Sequence, residues 1–154
     1  MFREMRRQDR KIDDKEAVRI LEEAQYGILS TTGSSGCAYG VPLSYAYTDG
    51  LIYFHSATEG QKLDNISYNN KVSFCVVGKT TPLPQSFSVN YESVVVFGKA
   101  VEAFDEEKQA ALEAIIAKYS PEFTAEGLKY IKNSSGRARI FKIEIEHMTG
   151  KARR

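Results

Sequence analysis

The chain has 154 residues, 42% of them hydrophobic and 27% charged, with 21 basic and 20 acidic side chains and a net charge of +1. These are the proportions of a globular domain large enough to bury a core, and the near-neutral balance gives nucleic acid no electrostatic footing. No run approaches the length of a membrane span, and Met1 to Asp14 is too charged for the apolar core of a secretion signal. One domain over residues 1–154 and a cytoplasmic location are therefore expected, and the two cysteines, Cys37 and Cys75, fit a reducing compartment. No CxxC or metal-type spacing supports a redox or metal role for either.

Ile12 to Gln25 reads as an amphipathic helix. Asp13 is its cap, Glu16 stands at the capping-box spacing, and Ala17, Ile20, Leu21 and Ala24 form one apolar stripe. Tyr26 to Thr32 follows as a strand, closed by the turn from Gly33 to Gly36. Ala38 to Thr48 alternates as a second strand through Val41, Leu43, Tyr45 and Tyr47. Asp49-Gly50 then signals a hairpin that returns the chain into Leu51 to Ser56. Gln61 to Tyr68 is a short helix, and Lys71 to Gly78 a strand in which Cys75 reads as a small core residue. Lys79 to Gln85, with Pro82 and Pro84, reads as a loop. Ser86 to Phe104 is a long strand expected to bend near Gly98. Asp105 is expected to cap a helix whose buried stripe is Leu112, Ile115, Ile116 and Tyr119. Another helix covers about Thr124 to Ile131, and Arg139 to His147 closes the chain as an alternating strand. About six strands with hairpin connections and no regular strand–helix alternation exclude a doubly wound sheet and predict a mainly β fold, an antiparallel barrel with short helices packed outside. So small a barrel leaves little internal room, so a flat cofactor would lie on its outer wall with a partner subunit as the lid.

The stretch Leu51 to Ile66, LIYFHSATEGQKLDNI, carries the most chemical information. A strand that ends in His55-Ser56-Ala57 and feeds a helix start leaves N–H groups pointing outward. With a hydroxyl and the Lys62 ammonium beside them, the junction suits a phosphate. Lys62 could be an ordinary surface lysine, but a cation in a first helical turn opposes the helix dipole, which favours the anion role. Ser56 could cap the helix, contact a phosphate, or do both. His55 is one of two histidines and shares a strand face with Tyr53; His147 lacks such a context and reads as structural. Tyr39, Tyr45, Tyr47, Tyr53 and Tyr91 read mainly as cross-strand and interface packing. Glu92 is either an interface acid or a hydrogen-bond acceptor beside a cofactor. The basic residues at the ends (Arg3, Arg6, Arg7, Arg10, Lys11, Lys151, Arg153 and Arg154) are solvated tails or reach a phosphate or a partner subunit.

Several motifs in order give the chain a family likeness. They are Met5-Arg-Arg-Gln-Asp-Arg10, Tyr39-Gly-Val-Pro-Leu-Ser-Tyr45, and Tyr53-Phe-His-Ser-Ala57 with Gly60, Lys62, Leu63, Asp64 and Asn65. Val72-Ser-Phe-Cys-Val-Val-Gly78, Tyr91-Glu-Ser-Val94 with Phe97-Gly98, and Thr149-Gly-Lys-Ala152 complete the set. In these the chain resembles the flavin-binding split-barrel proteins related to pyridoxamine phosphate oxidase, and among them the branch that includes the 5-nitroimidazole resistance proteins. The resemblance implies a homodimer with FMN sites at the subunit interface. It lays Val41, Pro42 and Leu43 along the flavin ring, and runs His55, Ser56 and Ala57 along the ribityl chain toward a phosphate neutralised by Lys62. Tyr91, Glu92 and Ser93 would either line the ring edge or come from the other subunit. Pro42 suits such a wall, since it removes a ladder donor where a ring is the neighbour. The wider oxidase family adds an arginine in the strand-to-helix turn. Here that turn reads Thr58-Glu59-Gly60-Gln61, so neither vitamin B6 oxidation nor very tight FMN binding is implied.

The expected function is an FMN-dependent oxidoreductase, with FAD or a deazaflavin as the alternative cofactor. It would pass electrons from reduced nicotinamide or another donor to small electrophiles such as nitroaromatic rings, with His55 stabilising developing charge. A flavin-binding sensor without turnover and a haem-binding split barrel with His55 or His147 as axial ligand are the other readings. No Ser-His-Asp set, zinc spacing or phosphate-binding loop motif appears, which disfavours hydrolysis and nucleoside-triphosphate chemistry.

Overall fold

Hydrophobic alternation sets the layout. In the computed structural model, which describes residues 1–154 apart from the side chain of residue 135, the elements run β1 (Lys11–Ile12), α1 (Asp14–Glu23), β2 (Gly27–Thr32), β3 (Ala38–Leu43), β4 (Ala46–Thr48) and β5 (Leu51–Ser56). They continue with α2 (Gln61–Tyr68), β6 (Lys71–Leu83), β7 (Ser88–Ala103), α3 (Asp105–Tyr119), α4 (Thr124–Ser134) and β8 (Arg139–Arg153). All strand pairings are antiparallel, in the order β3-β2-β6-β7-β8-β5-β4, with β1 added beside β8. The two ends of that order, β3 and β4, are linked only by Ser44 and Tyr45, so the sheet must curl until they meet. Tyr119 from α3 sits at this seam: its hydroxyl accepts the Tyr45 N–H (3.1 Å) and donates to the Gln25 carbonyl.

Inward residues of the sheet, among them Leu29, Phe54, Phe74, Val76, Val94, Val96 and Ile143, join Ala17, Ile20 and Leu21 of α1 in one core. Helix α1 thus packs into the barrel instead of coating it. Asp13 caps it by accepting the Glu16 N–H at 2.8 Å. Helix α3 lies on the opposite face of β5 and β8, over Tyr53, Ala103 and Ile140.

The architecture is the mainly β antiparallel barrel expected, but the sheet has eight strands where the sequence predicts about six. Two come from local features. Ser44-Tyr45 breaks the expected second strand into β3 and β4, and Lys11–Ile12 pairs with Lys151 and Gly150. The expected loop with Pro82 is the far half of β6: Pro82 faces Val89, and a bulge separates Val77 from Thr80. That segment pairs only with β7, so a residue without an N–H is tolerated on its free edge. The register shift beside Gly98 is the expected bend in β7. Asp105 is no cap. It is the first residue of α3 at φ 56, a left-handed conformation that aspartate tolerates, and no side chain caps that helix. Of α3 only Ala111 is fully buried, and the expected Leu112–Tyr119 stripe is half covered. Cys75 alternates with the core residues Phe74 and Val76 and faces outward. Among the described residues no helix is long and apolar enough to cross a membrane.

Candidate functional site

The junction of β5 and α2 is built around backbone geometry. Ser56 is buried and its hydroxyl donates to the Ala57 carbonyl (3.0 Å), so it does not cap the helix. Gly60 turns the chain at φ 148, a conformation side chains resist, and its carbonyl accepts the N–H groups of Leu63 and Asp64. No side chain caps α2. The first-turn N–H groups without an intrahelical acceptor are therefore left for an anion or water. Lys62 stands half-buried in that turn and, among the described residues, has no ion-pair partner.

Two residues fix this junction that their residue types alone did not single out. Asn65, named only as part of a motif, is buried and donates from Nδ2 to Thr31 Oγ1 at 3.0 Å, tying α2 to β2. Gly33 leaves it room, since a Cβ there would lie 2.2 Å from Asn65 Oδ1. Arg139 pairs across the ladder with Ser56. Its guanidinium is held by Glu102 and reaches the Thr58 carbonyl at 3.5 Å. The Glu102 carboxyl is held below its ordinary pKa mainly by that hydrogen bond. A cation therefore stands beside the turn whose own sequence lacks one. Only the cross-strand register discloses it, and register cannot be read from residue spacing between distant strands.

His55 projects from the α3 side of β5 and is exposed. With Ser56 and Ala57 it lines a cavity of about 440 Å³ whose other walls come from α3, α4 and the residues Arg137 and Ala138 that follow α4. Val41 and Leu43 pack their side chains toward the core, while Pro42, paired with Ile28, is exposed on the free edge of β3. Tyr91, Glu92 and Ser93 lie elsewhere. His55, Ile140 and Ala103 share one rung, and Ser93 pairs with Lys151 far along the same strands. That is roughly 30 Å of strand within one chain.

Tyr91 and Glu92 line a separate cavity with Arg153 and Arg154. There Glu92 Oε2 accepts from Arg19 (3.0 Å) and Arg154 (3.2 Å), and Oε1 from the Lys79 N–H (3.3 Å). Burial pushes its carboxyl up, but these three donors prevail and hold it below the ordinary value. The Tyr91 phenol is likewise lowered: burial opposes the shift, and hydrogen bonds from Arg10 and Lys151 outweigh it. The basic ends are thus anchored in part. Arg10 reaches Tyr91, Arg153 reaches Asn90, and Arg154 pairs with Glu16 and Glu92.

An antiparallel split β-barrel with an uncapped, cation-flanked helix start beside its fifth strand defines the class. A family model described as pyridoxamine 5'-phosphate oxidase matches residues 13–152, and the chain belongs to that family. Among solved structures it is similar to a candidate 5-nitroimidazole antibiotic resistance protein of Bacteroides thetaiotaomicron. The two are 26% identical with a TM-score of 0.75, over 92% of this chain and 86% of that one. It is similar also to an FAD-binding protein of Mesorhizobium loti, at 26% identity and a TM-score of 0.66, over 94% and 98%. An FAD- and haem-binding protein of Mycobacterium smegmatis shares the fold at 15% identity and a TM-score of 0.78, over 91% and 71%. No curated protein matches the sequence.

Proposed function

We infer that the protein is a flavoprotein, with FMN as its cofactor, that reduces small electrophiles such as nitroaromatic rings at sites shared by two copies of the chain. The observation that carries this reading is the start of α2, an uncapped helix end with Lys62 in its first turn and Arg139 beside it. The residues fit a phosphate: N–H donors without acceptors, one ammonium without a partner and one guanidinium already positioned. The flavin- and nitroimidazole-linked proteins at 26% identity support it.

In this reading Lys62 and the α2 N–H groups hold the phosphate, and Asn65 keeps the helix in place through Thr31. The Val41–Leu43 edge supports the ring, with Pro42 presenting no N–H to compete for it. When bound, the flavin supplies electron or hydride transfer. The protein orients it, and His55, facing the adjoining cavity, donates a hydrogen bond to oxygen atoms of the electrophile. Tyr91 to Ser93 stand too far along the barrel to serve the same chain's junction, which supports their contribution from a partner copy.

The absorption spectrum of the purified protein tests the reading. Flavin bands are expected, bleaching with NAD(P)H and returning with a nitroimidazole; flavin without turnover would indicate a sensor, and a Soret band would favour haem instead. Lys62→Ala should weaken FMN about tenfold, the loss of one charged contact. Unchanged affinity by fluorescence titration would remove Lys62 from the site.

A further inference from the structure

The cavity beside His55 has walls of two kinds. Leu112, Ile115 and Ile116 of α3 and Ile131 of α4 give an aliphatic floor. These helices meet closely: a Cβ on Gly127 would stand 2.5 Å from Ile116 Cγ2, so the floor has little freedom to collapse. Arg137 stands on the rim, and no Asp or Glu lines the cavity. Among the described residues Arg137 has no acid partner, in contrast to Arg139, which Glu102 holds. The volume is that of a small-molecule site.

We propose that this cavity binds a small hydrophobic carboxylate, its ring or chain on the Leu112–Ile131 floor and its carboxylate at Arg137. An aliphatic floor alone would select any apolar molecule of the right size. A lone guanidinium at its edge, without a carboxylate nearby, adds a preference for one anionic end and rejects cations. Because His55 borders the same space, the occupant would lie beside the proposed flavin. The inference rests on the flavin reading only for that link to turnover.

The chain contains no tryptophan, and Tyr130 lies on the cavity rim, 69% exposed. Tyr130→Trp therefore installs a single fluorescent reporter. Titrated with cyclohexanecarboxylate and with cyclohexylmethanol, which share a ring and differ in charge, the protein as purified should bind the carboxylate about tenfold more tightly. Arg137→Gln should level the two affinities, and Arg137→Lys should restore part of the difference. Equal affinities with Arg137 present, or a preference that survives Arg137→Gln, would overturn the proposal. So would silence of both probes by fluorescence and by calorimetry on the unmodified chain. Repeating the titrations with and without added FMN separates the readings: carboxylate preference without flavin binding defeats the cofactor alone, and flavin binding without the preference defeats this proposal alone.

Discussion

Lys118 places its ammonium 3.8 Å over the Tyr45 ring and 5.2 Å from that of Tyr119, with Nζ buried and lacking a hydrogen-bond acceptor. Two effects compete there. The ring faces attract the cation, but they return only part of its lost hydration. Burial wins and lowers the Lys118 pKa to about 8, from an ordinary value of 10.5. Below pH 8 the amine is charged in both folded and unfolded chains, and the burial cost is fully present. Between about 8 and 10.5 the unfolded chain holds more protons, so this residue's contribution to stability rises with pH. Lys118→Met, which keeps the volume and drops the charge, should be more stable than the parent at pH 7, with the gap closing toward pH 10.5. Urea unfolding of both chains at several pH values checks this. A gap that stays constant would mean that the cation–ring contact balances burial, and one that widens with pH that the contact outweighs it.

At the scale of elements, Gly98 decides whether β7 can bend. A Cβ at this position would stand 2.2 Å from the Glu144 carbonyl oxygen, a backbone atom that cannot step aside. Gly98→Ala should destabilise the protein by about 3 kcal/mol, at the upper end of overpacking costs. Gly40→Ala, which would meet Ile28 Cγ2 at 3.4 Å, should be tolerated. Comparing the two thermal midpoints checks both. The Gly98 bend was legible because a strand from Ser86 to Phe104 is too long to remain straight. The hairpin at Asp49-Gly50, the Asp13 cap and the bounds of α2 were legible too, since each is written in neighbouring residues. What escaped depends on distant partners. The far half of β6 exists because β7 pairs with it despite Pro82, β1 exists because β8 runs on to Arg153, and Arg139 reaches the junction because β8 lies beside β5. Asp105 misled for the opposite reason. Aspartate suits both a cap and a left-handed turn, and only the backbone shows which occurs.

Across the whole molecule, helices cover one side of the barrel wall and leave another bare. On β2, β6, β7 and β8 one outward rung runs Ile28–Cys75–Val95–Thr149, and the next runs Ser30–Ser73–Phe97–His147. Val77 (59% exposed) and Phe97 (39%) are among the chain's exposed large hydrophobic residues. The start of the chain touches this face, through Phe2 stacked on His147 and Phe97. A sheet face with this apolar content, flanked by small serines, matches the core of a homodimer interface better than a solvated surface. It also borders Ser93, next to the Tyr91 and Glu92 that the flavin reading draws from a second copy. Val95→Lys puts a charge at its centre while leaving the inward core residues Val94 and Val96 untouched. Light scattering should show a dimer for the parent and a monomer for the variant, with the β signal in circular dichroism retained. FMN binding should fall together with the dimer, because each site would lose the residues its partner lends. A variant that becomes monomeric yet binds FMN as before would show that one chain completes the site alone, and a monomeric parent would remove this face as an interface.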